Sequence, residues 1–334
     1  MAPLPVDPGS VVERLRVVAL PMRVRFRGVD VREVALIEGP AGWGEFGAFP
    51  EYPPAEAARW LGAALEAAFG DWPVPVRAEI PVNATVPAVP AAAVAGIVAR
   101  FDGCTTAKVK VAEPGQSLAD DVDRVAATRD ALGPRGRIRV DANGAWSVGD
   151  AADALGRLAA YGLEYAEQPC ATVDDLVALR TRLARGGVDV PIAADESIRR
   201  AEDPLLVARR GAADLIVVKV APLGGVHRAL ETVADCGLPA VVSSALDTSV
   251  GIAAGLALAA ALPRLHHACG LGTVALLAGD VTARPLRPRG GAIPAGRAAP
   301  DPDLLERYAA EAERVDWWRD RVRDCLAVLA AQRA

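Results

Sequence analysis

Residues 137–169 read RIRVDANGAWSVGDAADALGRLAAYGLEYAEQP, and the fold is decided there. Residues 137–141 and 163–168 are short β-prone runs, and about 149–161 between them carries apolar residues at helical spacing. Strand, helix, strand with short connections is the unit of a parallel sheet. The same alternation extends both ways. Upstream lie strand 82–86, helix 91–101, strand 105–111 and amphipathic helix 118–132. Downstream lie helix 174–185, strand 191–195, helix 201–210, strand 215–220, helix 226–236, strand 239–243, helix 251–262 and a closing segment 267–273. The strands are nearly continuous apolar runs, such as Ile216-Val217-Val218 and Ala240-Val241-Val242, as strands buried on both faces require. About eight of them fit a closed barrel. A doubly wound sheet is the competitor, but no strand leads into a G-x-G-x-x-G turn.

The ends differ. Residues 14–21 and 32–38 read as antiparallel strands, Gly42-Trp43-Gly44-Glu45 as a turn and 54–69 as an Ala-rich helix. After residue 283 the chain is Pro/Gly-rich and then helical around Trp317 and Trp318. The expected architecture is α/β: a modified (β/α)7β TIM-like barrel over 85–283, with an α+β cap built from 1–84 and completed by 284–334.

Composition narrows the function. A hydrophobic fraction of 52% with only 4% aromatics requires a core of Ala, Val and Leu. A net charge of −5 offers no electrostatic footprint for nucleic acid. Cys104, Cys170, Cys236, Cys269 and Cys325 are widely spaced, odd in number and lack a C-x-x-C pair, so neither disulfides nor a zinc site is expected. Residues 1–8 do not read as a signal peptide, and the longest apolar stretch, 251–262, falls short of the ~20 residues that span a bilayer. A cytoplasmic protein with no membrane or nucleic-acid partner is expected. Its oligomeric state stays open, a monomer being compatible.

In a β/α barrel the catalytic groups sit at the C-terminal ends of the strands. Those ends here carry Lys108 and Lys110, Asp141, Glu167, Asp195 with Glu196, and Lys219. Each follows or ends an apolar run, where a charge is costly unless paired or bound to metal. Asp141, Glu167, Asp195 and Lys219 are separated by 26, 28 and 24 residues, about one strand–helix unit each, so they share one rim. Three carboxylates from adjacent strands make a hard oxygen set suited to Mg2+, with Mn2+ an alternative. Flanking lysines suit removal of a proton next to a carboxylate, with the cation stabilising the enediolate. His227 lies on a helix and His266-His267 have no companion Asp, so all three read as surface or packed residues.

The strings Lys108-Val109-Lys110, Val140-Asp-Ala-Asn-Gly144, Tyr165-Ala-Glu-Gln-Pro169, Ala194-Asp-Glu-Ser197 and Val218-Lys219 resemble the enolase superfamily, muconate-lactonizing subgroup. Arg25-Phe26-Arg27-Gly28, Gly42-Trp-Gly-Glu-Phe46, Val242-Ser-Ser-Ala245 and Cys269-Gly-Leu-Gly-Thr273 are similar to a branch of that subgroup. Its members dehydrate 2-succinyl-6-hydroxy-2,4-cyclohexadiene-1-carboxylate to o-succinylbenzoate for menaquinone synthesis. The resemblance implies Lys110 as acid and base, Lys219 as an electrostatic partner on the other face, and Lys108 orienting Lys110 and lowering its pKa. It implies Asp141, Glu167 and Asp195 as metal ligands, with Glu196 and Asn143 behind them. Ser243, Ser244 and the Gly270 amide would hold the succinyl tail of a dicarboxylate substrate. An N-acylamino acid racemase or a related epimerase would use the same lysines. A dipeptide epimerase should add acids on the eighth strand, where this chain has Gly270-Leu271-Gly272. A non-catalytic binding barrel would not need both lysines and all three carboxylates intact.

Overall fold

The computed structural model describes residues 8–26, 28–199 and 203–332. Residues 1–7, Arg27 of the cap string, and Ala201 and Glu202 at the head of the expected helix 201–210 lie outside the described residues.

After a short helix, Pro8–Glu13, comes an antiparallel sheet of β1 (Leu15–Phe26), β2 (Val29–Gly39) and β3 (Gly42–Phe46). The segment expected as a turn at 42–45 is therefore a strand, and the turn lies at Pro40-Ala41. Its glycines serve close approach instead. A Cβ on Gly44 would stand 1.9 Å from the Ala64 carbonyl oxygen, so helix Pro54–Phe69 packs directly onto the strand. Trp60 of that helix and Trp318 of helix Ala312–Ala331 are fully buried in a shared core. Phe46 meets Trp318 edge to face at 5.4 Å. The few aromatics thus concentrate where the two ends of the chain meet. A second link is β4 (Glu79–Pro81), which pairs with β12 (Ala292–Pro294).

Between these ends run β5 (Ala84–Val86), β6 (Thr106–Lys110), β7 (Arg137–Asp141), β8 (Leu163–Glu167), β9 (Ile192–Ala194), β10 (Leu215–Val218) and β11 (Ala240–Val242). They form one parallel sheet in chain order. Closure comes from two residues rather than the strand expected over 267–273. Cys269 bridges to Val82 and Gly270 to Ser243, after which the chain enters a 3-10 helix, Thr273–Leu276. All four residues of β10 are buried, and the barrel core is Ala, Val, Leu and Ile, as the poverty in aromatics requires.

Several helix starts are written in side chains. Ser117 and Asp120 form a reciprocal capping box for Leu118–Leu132, and Ser147 and Thr172 cap Val148–Leu158 and Val173–Arg185. Helix Ser249–Ala261 is apolar nearly all round because the cap covers the side that does not face the barrel. Of the described part of the helix expected over 201–210, residues 203–210, only Leu206–Arg209 is helical. No helix of the described residues is long and apolar enough to cross a membrane.

Candidate active site

Strand register builds the site. Lys110 pairs with Asp141, Asp141 with Glu167, and Glu167 with Ala193, so the ends of β6, β7, β8 and β9 lie level. Asp195 is two residues beyond Ala193 and keeps its facing. Lys219 follows β10 directly. All six groups are buried: the carboxylates of Asp141, Glu167 and Asp195 are at most 1% exposed, and Lys108, Lys110 and Lys219 are each 7% exposed.

Each carboxylate is met by an ammonium. Lys110 Nζ donates to Asp141 Oδ2 at 2.5 Å and to Asn143 Oδ1 at 2.6 Å. Lys108 Nζ donates to both oxygens of Glu167, at 2.8 and 3.0 Å, and lies 3.1 Å from Asp141 Oδ2. Lys219 Nζ is 2.5 Å from Asp195 Oδ2. Burial alone would raise Asp141, but Lys110 and Lys108 hold it well below the usual carboxylate range. Burial, with Asp141 close by, pushes Glu167 up to about 7 despite Lys108. Lys108 is itself held above its ordinary value, because Glu167 and Asp141 outweigh the cost of its burial.

The acids are buttressed from behind. Asn143 Nδ2 donates to Glu196 Oε1 at 3.1 Å while its Oδ1 receives Lys110. Asn143 and Gln168, just past β7 and β8, adopt φ of 48° and 37°, a left-handed backbone rare outside glycine. Those turns aim their side chains across the rim. Gln168 Oε1 accepts from the Asp195 and Ser197 backbone N–H groups at 2.9 and 3.2 Å. Sequence reasoning gave Gln168 no role and missed Arg199 altogether. Arg199 Nε reaches Asp195 Oδ1 at 3.1 Å and its Nη2 reaches Glu196 Oε1 at 2.7 Å. Its i+4 spacing from Asp195 on a short helix was the available signal.

Above the acids lies a narrow cavity that opens to solvent. Phe26, Phe49 and Trp60 of the cap line it, together with Lys108, Lys110, Lys219, Arg199, Ser243, Ser244 and Gly270. Phe26 places its ring 5.4 Å from Lys110 Nζ. The expectation for Gly270 needs correction. Its N–H donates to the Val242 carbonyl at 2.8 Å, so the amide meant for the succinyl tail is spent on barrel closure. Ser244 Oγ is also engaged, donating to the Gly270 carbonyl at 2.7 Å and lying 2.8 Å from Thr273 Oγ1. Ser243 faces the cavity.

The donor set can be tested against a metal. As the side chains stand, no three acids among the described residues converge as a ready cage, because ammonium groups lie between their oxygens. The chemistry of the set nonetheless fits a hard divalent cation: three fully buried carboxylates at one level, whose charge must be met by cations.

A family model described as enolase N-terminal domain-like matches residues 17–68, and one described as enolase C-terminal domain-like matches 91–300. The enolase superfamily works with a divalent metal ion and a small-molecule substrate. The chain resembles the muconate lactonizing enzyme of Pseudomonas fluorescens in structure, with a TM-score of 0.74 at 22% identity over 89% of this chain and 98% of that one. That likeness establishes the fold. It is 59% identical to the o-succinylbenzoate synthase of Mycobacterium ulcerans over 98% of both chains. It is 61% identical to that of Mycolicibacterium smegmatis over 96% of this chain and 97% of the other. With both superfamily domains matched and these relatives aligned almost end to end, the chain belongs to the o-succinylbenzoate synthase family of the enolase superfamily.

Proposed function

We propose that the rim dehydrates 2-succinyl-6-hydroxy-2,4-cyclohexadiene-1-carboxylate to o-succinylbenzoate, a step of menaquinone synthesis, with Lys110 as both base and acid. The observation that carries this reading is the pair Lys110 and Lys219. They come from separate strands and reach one cavity among three buried carboxylates.

Asp141, Glu167 and Asp195 would hold a divalent cation, Mg2+ in our reading, with Asn143 and Glu196 fixing their surroundings. A cation held there would supply positive charge to the substrate carboxylate as negative charge builds on it. Neutral Lys110 takes the proton from the carbon bearing that carboxylate. The same nitrogen then gives a proton to the departing hydroxyl, so water leaves and the ring becomes aromatic. Both transfers occur on one face, as a single acid–base residue requires. Lys219 keeps its proton on the opposite side and stabilises the enediolate by charge. Lys108, tied to Glu167 and Asp141, braces the strand that carries Lys110. Phe26, Phe49 and Trp60 exclude water from above. Within this reading the cap comprises residues 1–84 and 284–334, and the barrel 85–283.

The test is kcat/KM for the cyclohexadiene substrate beside a panel of N-succinyl amino acids, with Lys110→Ala as an inactive control throughout. The first should exceed the others by roughly a hundredfold, about 2.7 kcal/mol in transition-state binding. Faster racemisation of an N-acylamino acid would overturn the substrate assignment. A Lys110→Ala enzyme within about tenfold of wild type would overturn the assignment of the base.

A further inference from the structure

One hydroxyl in the cavity has no use in the protein's own structure. Thr85, on β5, is 1% exposed, and its Oγ1 is buried without a hydrogen-bond partner. Such a group weakens the folded state unless something else satisfies it. Thr85 is paired in register with Lys108, so it points into the barrel as Lys108 does, and it lines the same cavity as Lys110 and Lys219. Valine has the same shape and suits a strand flanked by Ala84 and Val86, so packing alone does not call for the oxygen.

Position says what the oxygen could meet. Around the closed barrel β5 lies between β6 and the closing residues Cys269 and Gly270. Counted among eight staves it stands opposite β9, the strand that leads to Asp195. Thr85 therefore lies across the cavity from Asp195, where a substrate whose carboxylate is held near Asp195 would bring its other end. Few donors are available on that arc: the Gly270 amide is spent on the Val242 carbonyl and the Ser244 hydroxyl on the Gly270 carbonyl.

We propose that Thr85 is a substrate-binding residue, its hydroxyl donating to an oxygen of the succinyl tail, the end remote from the carboxylate held at the acids. This rests on the dehydration reading above. The test compares wild type with Thr85→Val and Thr85→Ser. It measures turnover of the cyclohexadiene substrate and competitive inhibition by o-succinylbenzoate and by benzoate, which lacks the tail. Thr85→Val should lose about tenfold in kcat/KM and bind o-succinylbenzoate about tenfold more weakly. It should bind benzoate as wild type does, and Thr85→Ser should restore both losses. Without ligand, the Tm of Thr85→Val should equal or exceed that of wild type, because an unpaired hydroxyl has been removed. Three results would overturn the proposal while leaving the dehydration standing: unchanged kinetics in Thr85→Val, equal weakening of benzoate, or a matching loss in Thr85→Ser. A wild-type enzyme that neither turns over the diene nor binds o-succinylbenzoate would overturn both.

Discussion

Replacing Arg199 with Met tests whether one guanidinium holds the fifth-strand acids in place. Arg199 is 4% exposed and bonds Asp195 and Glu196 at 3.1 and 2.7 Å, with the Tyr52 hydroxyl of the cap at 3.4 Å. Burial works against its charge, and Asp195 and Glu196 more than compensate, holding it above its ordinary pKa. Removing one partner of a buried ion pair costs about 3–5 kcal/mol, chiefly because the other charge is stranded. Both acids here keep one partner, Lys219 for Asp195 and Asn143 for Glu196. The loss should therefore lie near about 3 kcal/mol. It should not be much smaller, since Glu196 Oε2 is already buried without a partner.

For a chain of this length 1 kcal/mol moves Tm by about 1.4 °C, so Arg199→Met should melt about 4 °C below wild type. Activity measured at saturating Mg2+ should fall at least about tenfold, because Asp195 loses an anchor while keeping its charge. Arg199→Lys should recover part of the Tm, since one ammonium replaces a fork that spans two acids. A Tm within about 1 °C of wild type, together with unchanged kcat/KM, would refute the reasoning. A lower Tm with full activity would leave the orientation of Asp195 to Lys219 alone.

Two further outcomes follow from the same cluster and its neighbour. Saturation with Mg2+ at about a hundredfold over Kd should stabilise the protein by about 2.7 kcal/mol, and Asp141→Asn, Glu167→Gln or Asp195→Asn should each abolish that gain; full activity in excess chelator would refute the metal site. Glu45 of β3 accepts the backbone N–H groups of Thr248 and Gly251, and burial, with Asp247 adding to it and Arg32 opposing, raises its carboxyl from 4.5 to about 8. A folded pKa above the unfolded one means that stability is full below the lower value and is lost as pH rises through the upper one. Tm should fall between those two values for wild type and flatten in Glu45→Gln; parallel Tm–pH curves for the two proteins would exclude Glu45 as the source.

Much of the barrel is legible because its strands and helices carry their own boundaries. Helix Leu118–Leu132 begins at a capping box and helix Val226–Cys236 stops at Gly237 with φ of 65°, both local signals. The rim acids are legible for a similar reason: an ionisable residue ending an apolar run has few structural uses, and the strand–helix repeat sets their level. Glycine is less readable. The same letters in Gly42-Trp43-Gly44-Glu45 suit a turn or a strand, and only the approach of Ala64 decides between them. The segment expected as helix 201–210 differs again: of its described residues, 203–210, only 206–209 keeps helical bonding.

What stays hidden is how each hydrogen-bonding group is already employed. The family resemblance marks the loop Cys269-Gly-Leu-Gly-Thr273 as a carboxylate cradle, with the Gly270 N–H as a donor. Yet in a barrel the last stave must bond to its neighbours, and Gly270 gives its N–H to Val242 while Cys269 gives its own to Pro81. The donors left for a substrate are those that closure does not consume, and closure joins residues far apart in the chain. Thr85 shows the converse. A threonine between alanine and valine in a short strand looks like ordinary β-forming sequence, and its meaning emerges only once its hydroxyl is found buried, unpaired and across the barrel from the strand that leads to Asp195. Residue type at a strand end therefore locates the reacting centre, where charge is too costly to have another purpose. Substrate recognition depends on which neutral donors remain unspent, and that is settled by the pairing of the whole barrel.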